Sequence, residues 1–121
     1  MRERKVLVTG ASKGIGLAIC ERLLSDGYQV LGVARSKPAA LPAGIEFHCL
    51  DLSDNTAVAQ FLAQELAEQS FYGLVNNVGL VHSGELDAVR YDELYQAVQL
   101  NIEVAIRFTQ ALVPAMKQEG R

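Results

Sequence analysis

Short, nearly continuous apolar runs alternate along this chain with segments whose apolar residues recur every three or four positions. The first pattern marks strands buried on both faces, the second marks amphipathic helices. Lys5 to Thr9 is the first such run. A glycine-rich turn follows from Gly10 to Gly16, and Ile15 to Ser25 reads as a helix with Ile15, Ala18, Ile19 and Leu23 at helical spacing. Gly27 closes it, as glycine does at helix C-termini. Tyr28 to Ala34 reads as a second strand, Ser36 to Gly44 as a loop with room for one helical turn, and Ile45 to Leu50 as a third strand. Ser53 is the expected N-cap, with Asp54 in the first turn, of a helix reaching about Gln69. Phe71 to Asn76 reads as a fourth strand and Gly79 to Gly84 as a loop. A last long helix is expected from Tyr91 to Gln118, disturbed near Pro114.

The alternation of strand and helix predicts an α/β fold, an open parallel sheet with helices on both faces and right-handed crossovers. The expected strand order is 3-2-1-4. That places the first and fourth strands beside the topological switch point, where such sheets bind ligands.

Composition narrows the function classes. The chain has 121 residues, half of them hydrophobic and 21% charged, so it can form one domain with a core and is not a disordered chain. The net charge of −3 and pI near 5.3 speak against a nucleic-acid module driven by counterion release. No apolar run approaches the ~20 residues that span a bilayer. The apolar stretch after the charged start is only Val6 to Val8, too short for a signal-peptide core, and the expected location is cytoplasmic. Cys20 and Cys49 form no disulfide framework and are expected to be reduced core residues. His48 and Cys49 are strand neighbours facing opposite ways, and no metal site is expected.

The candidate chemistry centres on Thr9-Gly10-Ala11-Ser12-Lys13-Gly14-Ile15-Gly16, set between a strand and a helix. Gly10 permits a tight turn, Gly14 lets a pyrophosphate approach the backbone, and Gly16 lets the helix pack closely. The helix N-terminus offers unpaired N–H groups to phosphates. Asn101 stands inside a helix that has no propensity reason to hold it, which points to a specific hydrogen bond.

The spacing Thr-Gly-x-x-x-Gly-x-Gly resembles the short-chain dehydrogenase/reductase family. Asn76-Asn77-Val78-Gly79 resembles that family's Asn-Asn-Ala-Gly, with Val78 in place of the usual Ala. Asp51-Leu52 resembles its adenine-contacting pair, and Asn101 matches its helical catalytic Asn. The resemblance covers the whole chain. It implies a Rossmann-type domain over residues 1–121, the front half of a larger single-domain reductase. It also implies hydride transfer between a nicotinamide cofactor and a carbonyl or alcohol, with 3-oxoacyl or general carbonyl reduction favoured. The implied cofactor-binding residues are Gly10, Ser12, Lys13, Gly14, Ile15, Gly16, Arg35, Asp51, Leu52, Asn77 and Gly79; His82 and Ser83, in the loop after the fourth strand, either border the substrate pocket or belong to an exposed polar loop.

Cofactor choice has its own physical argument. An NAD site wants a carboxylate at the end of the second strand to bind the ribose 2′-OH. Here Ala34 is followed by Arg35-Ser36-Lys37. A guanidinium can hold a 2′-phosphate bidentately, and Lys13 adds charge, so NADP(H) is expected over NAD(H).

The family's remaining chemistry is a Ser that positions the carbonyl and a Tyr-x-x-x-Lys whose Lys lowers the Tyr pKa; its Asn holds a water in the proton relay. Position four after Tyr28, Tyr72, Tyr91 and Tyr95 is Gly32, Asn76, Tyr95 and Gln99, never Lys. Of the four, only Asn101 is present, and the chain is expected to stop short of a fifth strand and to be inactive alone. The alternatives are a non-catalytic dinucleotide-binding fragment, or a half that folds only with a complement or in an oligomer. The last helix has apolar residues at Leu94, Val98, Ala105, Phe108 and Leu112, with Ile102 and Ile106 on an adjoining face. One side is expected on the sheet and the other on a partner subunit in a homo-oligomer.

Overall fold

A computed structural model describes residues 4–12, 14–66, 69–77, 88, 90–118 and 120. Four strands, β1 (Lys5–Thr9), β2 (Gln29–Ala34), β3 (Ile45–Cys49) and β4 (Gly73–Val75), pair in parallel in the order β3-β2-β1-β4. This is the expected order. The register pairs Leu7 with Leu31 and Leu74, which aligns the C-terminal ends of the strands at one edge. α1 (Gly14–Ser25) and α2 (Asn55–Gln64) follow β1 and β3.

The two faces of the sheet are covered by different cores, as strand alternation requires. Val6, Val8 and Val30 pack with Cys20 of α1, while Leu7, Leu31 and Val33 pack with Val58 and Phe61 of α2. The second face is closed by the last helical segment. That segment comprises α3 (Tyr91–Val98), one π-helical turn (Gln99–Glu103) and α4 (Val104–Gln118). Phe108 of α4 is fully buried, with its ring 6.3 Å from that of Phe61. Burial of a side chain of this kind contributes about 1.5–3 kcal/mol.

Several expectations need correction. Asp54, not Ser53, caps α2: its carboxylate accepts from the N–H groups of Thr56 and Ala57 at 3.0 and 3.1 Å. The helix ends at Gln64 rather than near Gln69, because the Gln69 side chain donates to the Glu65 carbonyl at 2.7 Å and satisfies the exposed end. The fourth strand pairs only over Gly73–Val75, although Tyr72 N–H already donates to the Lys5 carbonyl at 2.7 Å. The loop between β2 and β3 contains turns but no helical turn.

Ile19 and Leu23 pack against the core as expected, but Ile15 is 73% exposed and Ala18 is exposed, and the fully buried residues of α1 are Gly16 and Cys20. Ile15 sits in the first turn of the helix, beyond the cover of the sheet. Burial raises the Cys20 thiol to about 11, which leaves it neutral and inert. Cys49, expected in the core, is exposed, because it ends the edge strand β3.

The last helix spans the expected range and continues through Pro114, but it changes register. Val104 N–H donates to the Gln99 carbonyl, five residues back. One extra residue rotates α3 by about 100° relative to α4. Leu94 and Val98 therefore face outward with Tyr91, Tyr95, Ile102 and Ile106, while Val104, Phe108 and Leu112 face the core. Among the described residues, no helix is long and apolar enough to cross a membrane.

Candidate functional site

The site lies where β1, β2 and β3 end together. Gly10 and Gly14 take φ values of 65° and 58°, a left-handed backbone that other residues rarely adopt. A Cβ on Gly14 would meet nothing within 4 Å, so the space above this position is open. The contrast with Gly16 is sharp. A Cβ there would lie 1.9 Å from the Gly10 carbonyl oxygen and 2.6 Å from Asn77 Nδ2. Gly16 is thus required by the packing of α1 against the turn, and Gly14 by its left-handed backbone. α1 carries no acidic residue in its first turn, so its N-terminal dipole faces that space uncompensated.

Asn77 locks the turn from the other side. Its Nδ2 donates to the Gly10 carbonyl at 3.2 Å, and its backbone N–H donates to Thr9 Oγ1 at 3.1 Å. Thr9 Oγ1 in turn donates to the Val75 carbonyl at 3.4 Å. These bonds join the ends of β1 and β4 across the switch point. Ala11 N–H reaches the Val33 carbonyl at 3.4 Å and ties the turn to β2.

Beside the turn is a cavity of about 240 Å³, lined by Gly10, Ser12, Ala34, Arg35, Asp51, Leu52, Ser53, Gln96 and Leu100. It is the size for one end of a dinucleotide, since sites for whole drug-sized ligands run to about 300–1,000 Å³. The structure brings together Gly10, Ser12, Arg35, Asp51 and Leu52, five of the residues singled out in the sequence. Lys13 and Gly79, with Val78, His82 and Ser83, lie outside the described residues.

Asp51 is fixed at the cavity mouth. Its Oδ1 accepts from the Ser53 hydroxyl at 2.6 Å and from the Ser53 N–H at 3.0 Å. The hydroxyl bond, then the backbone bond, holds the carboxyl below its usual 3.8, and nearby Arg35 acts the same way. Ser53 therefore serves the carboxylate and not the helix end. The folded state lowers this pKa, so the associated stabilisation is present above 3.8 and disappears as pH falls through the lower folded value. A carbon-detected NMR titration is expected to give Asp51 a midpoint below 3.8, and Ser53→Ala is expected to raise it. A midpoint that Ser53→Ala leaves in place would remove Ser53 as the cause.

Asn101 lies in the π turn, where it is exposed. Such turns are rare insertions that recur at functional sites. Sequence reasoning missed Ser53, Gln96 and Leu100 as cavity residues. For the last two a signal existed: they are four apart on one helix face, and Leu100 adjoins Asn101.

The parallel sheet, the glycine turn and the switch-point cavity together define a Rossmann-type α/β domain. The chain belongs to the short chain dehydrogenase family, whose model matches residues 4–121. It is 33% identical over 124 residues to the 3-oxoacyl-[acyl-carrier-protein] reductase FabG of Escherichia coli (strain K12), a match covering 95% of this chain and 51% of that protein. It is 32% identical over 119 residues to the NADPH-dependent 3-dehydrocapnine reductase of Ornithobacterium rhinotracheale, covering 91% of this chain and 42% of that protein. Among solved structures, a short-chain dehydrogenase from Streptomyces avermitilis superposes with a TM-score of 0.86 at 34% identity, over 97% of this chain and 46% of that one. The chain spans about half the length of the curated relatives it matches.

Proposed function

We propose that this chain is the cofactor-binding part, residues 1–121, of a larger single-domain NADP(H)-dependent oxidoreductase of the short-chain type, acting on a carbonyl or alcohol substrate in the cytoplasm. The observation that carries this reading is the pairing of an open, left-handed Gly14 with a cavity bordered by Arg35 and Asp51 and without a carboxylate at the end of β2. Support for NADP(H) also comes from the NADPH dependence of the similar 3-dehydrocapnine reductase. The kinship to FabG favours a 3-oxoacyl or general carbonyl substrate.

The residues present fit such a cofactor. The backbone of Gly10, Ser12, Gly14, Ile15 and Gly16 would hold the pyrophosphate at the start of α1. Arg35 would hold the 2′-phosphate, and Asp51 and Leu52 would meet the adenine. Asn77 would border the ribose. When bound, the nicotinamide supplies or accepts the hydride. Asn101 holds a water in the proton relay. A Ser and a Tyr-x-x-x-Lys complete the catalytic set outside this chain. Titration of the full-length protein with NADPH and NADH tests the reading. Tighter binding of NADPH by at least about tenfold is expected, as one charge-assisted hydrogen bond supplies; equal binding would overturn it. Residues 1–121 alone are expected to show no carbonyl reduction, and measurable turnover of NADPH would contradict that.

The outward face of the last helix supports a homo-oligomer. Tyr91, Tyr95, Val98, Ile102 and Ile106 recur every three or four residues and are roughly half or more exposed, a stripe that a second copy can cover. The double variant Val98→Glu/Ile106→Glu is expected to shift the sedimenting species to monomer while the cofactor affinity stays within about twofold, since neither side chain lines the cavity. An unchanged oligomer would place the interface elsewhere.

A further inference from the structure

The start of α2 and the π turn are joined by a continuous belt of side-chain hydrogen bonds. Gln99 Nε2 donates to the Leu52 carbonyl at 2.7 Å and to Asn55 Oδ1 at 2.9 Å. Asn55 Nδ2 donates to the two carboxylate oxygens of Glu103 at 3.3 and 3.4 Å. Glu103 also accepts from Arg107, from Nη2 at 3.0 Å and from Nε at 3.3 Å. The belt runs from the backbone of the cavity wall to the first turn of α4.

Its two anchors on the helix are the first and last residues of the π turn. Between them lie Leu100, which lines the cavity together with Leu52, and Asn101. A π turn holds one residue more than the helical ladder wants, and it persists where its surroundings fix it. Here the belt holds both ends to the loop that leads from Asp51 into α2.

Packing alone does not account for an amide at position 99. Gln99 Oε1 is buried and has no hydrogen-bond partner among the described residues. A buried orphan acceptor is costly, and a methionine of similar reach would avoid that cost. The donor half of the amide is fully used on two acceptors, so it explains the residue.

We propose that Gln99 and Asn55 are positioning residues, which pin the π turn to the cavity wall so that a nucleotide in the cavity sets the placement of Asn101. The inference rests on the proposed function for the identity of the nucleotide. It deepens that reading by linking the adenine end of the site to the residue given the water-holding role.

The test is hydrogen–deuterium exchange on the full-length protein, with and without adenosine 2′,5′-bisphosphate, a probe that lacks the nicotinamide. In the unaltered protein the probe is expected to slow exchange at residues 51–56 and also at 100–104. Gln99→Glu keeps the shape but turns the donor into an acceptor. It is expected to speed exchange at 100–104 roughly tenfold without the probe. With the probe, protection is then expected at 51–56 but no longer at 100–104. Asn55→Ala, which removes the middle of the belt, is expected to produce the same split and carries the test if Gln99→Glu does not fold. Gln110→Ala, exposed on α4, is expected to change neither segment. Unchanged exchange and unchanged coupling in Gln99→Glu or Asn55→Ala would overturn the proposal. If the probe does not bind the unaltered protein, the cofactor reading fails, and the exchange rates without probe still decide whether the belt holds the π turn.

Discussion

Gly16→Ala is expected to cost about 3 kcal/mol or more, the upper end of overpacking penalties, and to abolish nucleotide binding. The added carbon falls 1.9 Å from the Gly10 carbonyl oxygen, which is backbone in a left-handed turn and has nowhere to go. Relief requires α1 to move off the turn, and that movement strips Asn77 Nδ2 from the same carbonyl. The damage therefore spreads from α1 to the tie between β1 and β4. Gly14→Ala separates stability from binding. Its Cβ meets no atom, so the cost is the strain of a left-handed alanine, about 1–2 kcal/mol. It nevertheless fills the open space above the turn, and nucleotide affinity is expected to fall far more than stability. Urea denaturation and a nucleotide titration of both variants measure the contrast. A Gly16→Ala protein of unchanged midpoint would mean that the turn is looser than its geometry.

The same glycines show what was legible in the sequence and why. The strand order and the location of the turn were readable because parallel strands are buried on both faces: Val6, Leu7 and Val8 are all buried, so the apolar run is continuous. The turn was readable because φ values of 65° and 58° favour glycine and because Gly16 has no room for a Cβ. The π turn was not legible. Asn101 is a poor helix former, but its propensity does not specify an inserted residue, and the turn is fixed by partners more than forty residues away from Gln99, at Leu52 and Asn55. The choice between Ser53 and Asp54 as cap was equally hidden, because both residue types cap well. It was settled by Ser53 being engaged with Asp51. Cys49 looked like a core residue because a strand's apolar pattern does not say that its last residue stands on an open edge. Local chemistry was thus readable wherever backbone geometry demanded one residue type. It was hidden wherever two distant segments chose each other.

Arg35→Asp is expected to reverse the cofactor preference, with the ratio of NADPH to NADH affinity falling about a hundredfold or more. Arg35 is exposed at the end of β2, lines the cavity and has no salt-bridge partner within 4.0 Å among the described residues, so its guanidinium is available to a ligand. A charge-assisted hydrogen bond contributes about 1.5–3 kcal/mol, and each 1.4 kcal/mol is tenfold in affinity. Losing a bidentate contact to the 2′-phosphate and placing a carboxylate against that group act in the same direction. The carboxylate also gives the ribose 2′-OH of NADH an acceptor that Ala34 and Arg35 do not supply. The substitution should not disturb the fold, because Arg35 is solvent-exposed and the backbone bond from Leu50 N–H to the Ala34 carbonyl, at 2.8 Å, is independent of its side chain. One further effect is expected: Asp51 loses the positive neighbour that helps hold its pKa down, so its midpoint should rise. Lys37→Ala provides the comparison, since Lys37 is exposed but does not line the cavity and should shift the ratio only slightly. Isothermal titration of both variants with the two nucleotides decides between the readings. A preference untouched by Arg35→Asp would reduce Arg35 to a solvated residue at a strand end and return the choice of cofactor to Lys13.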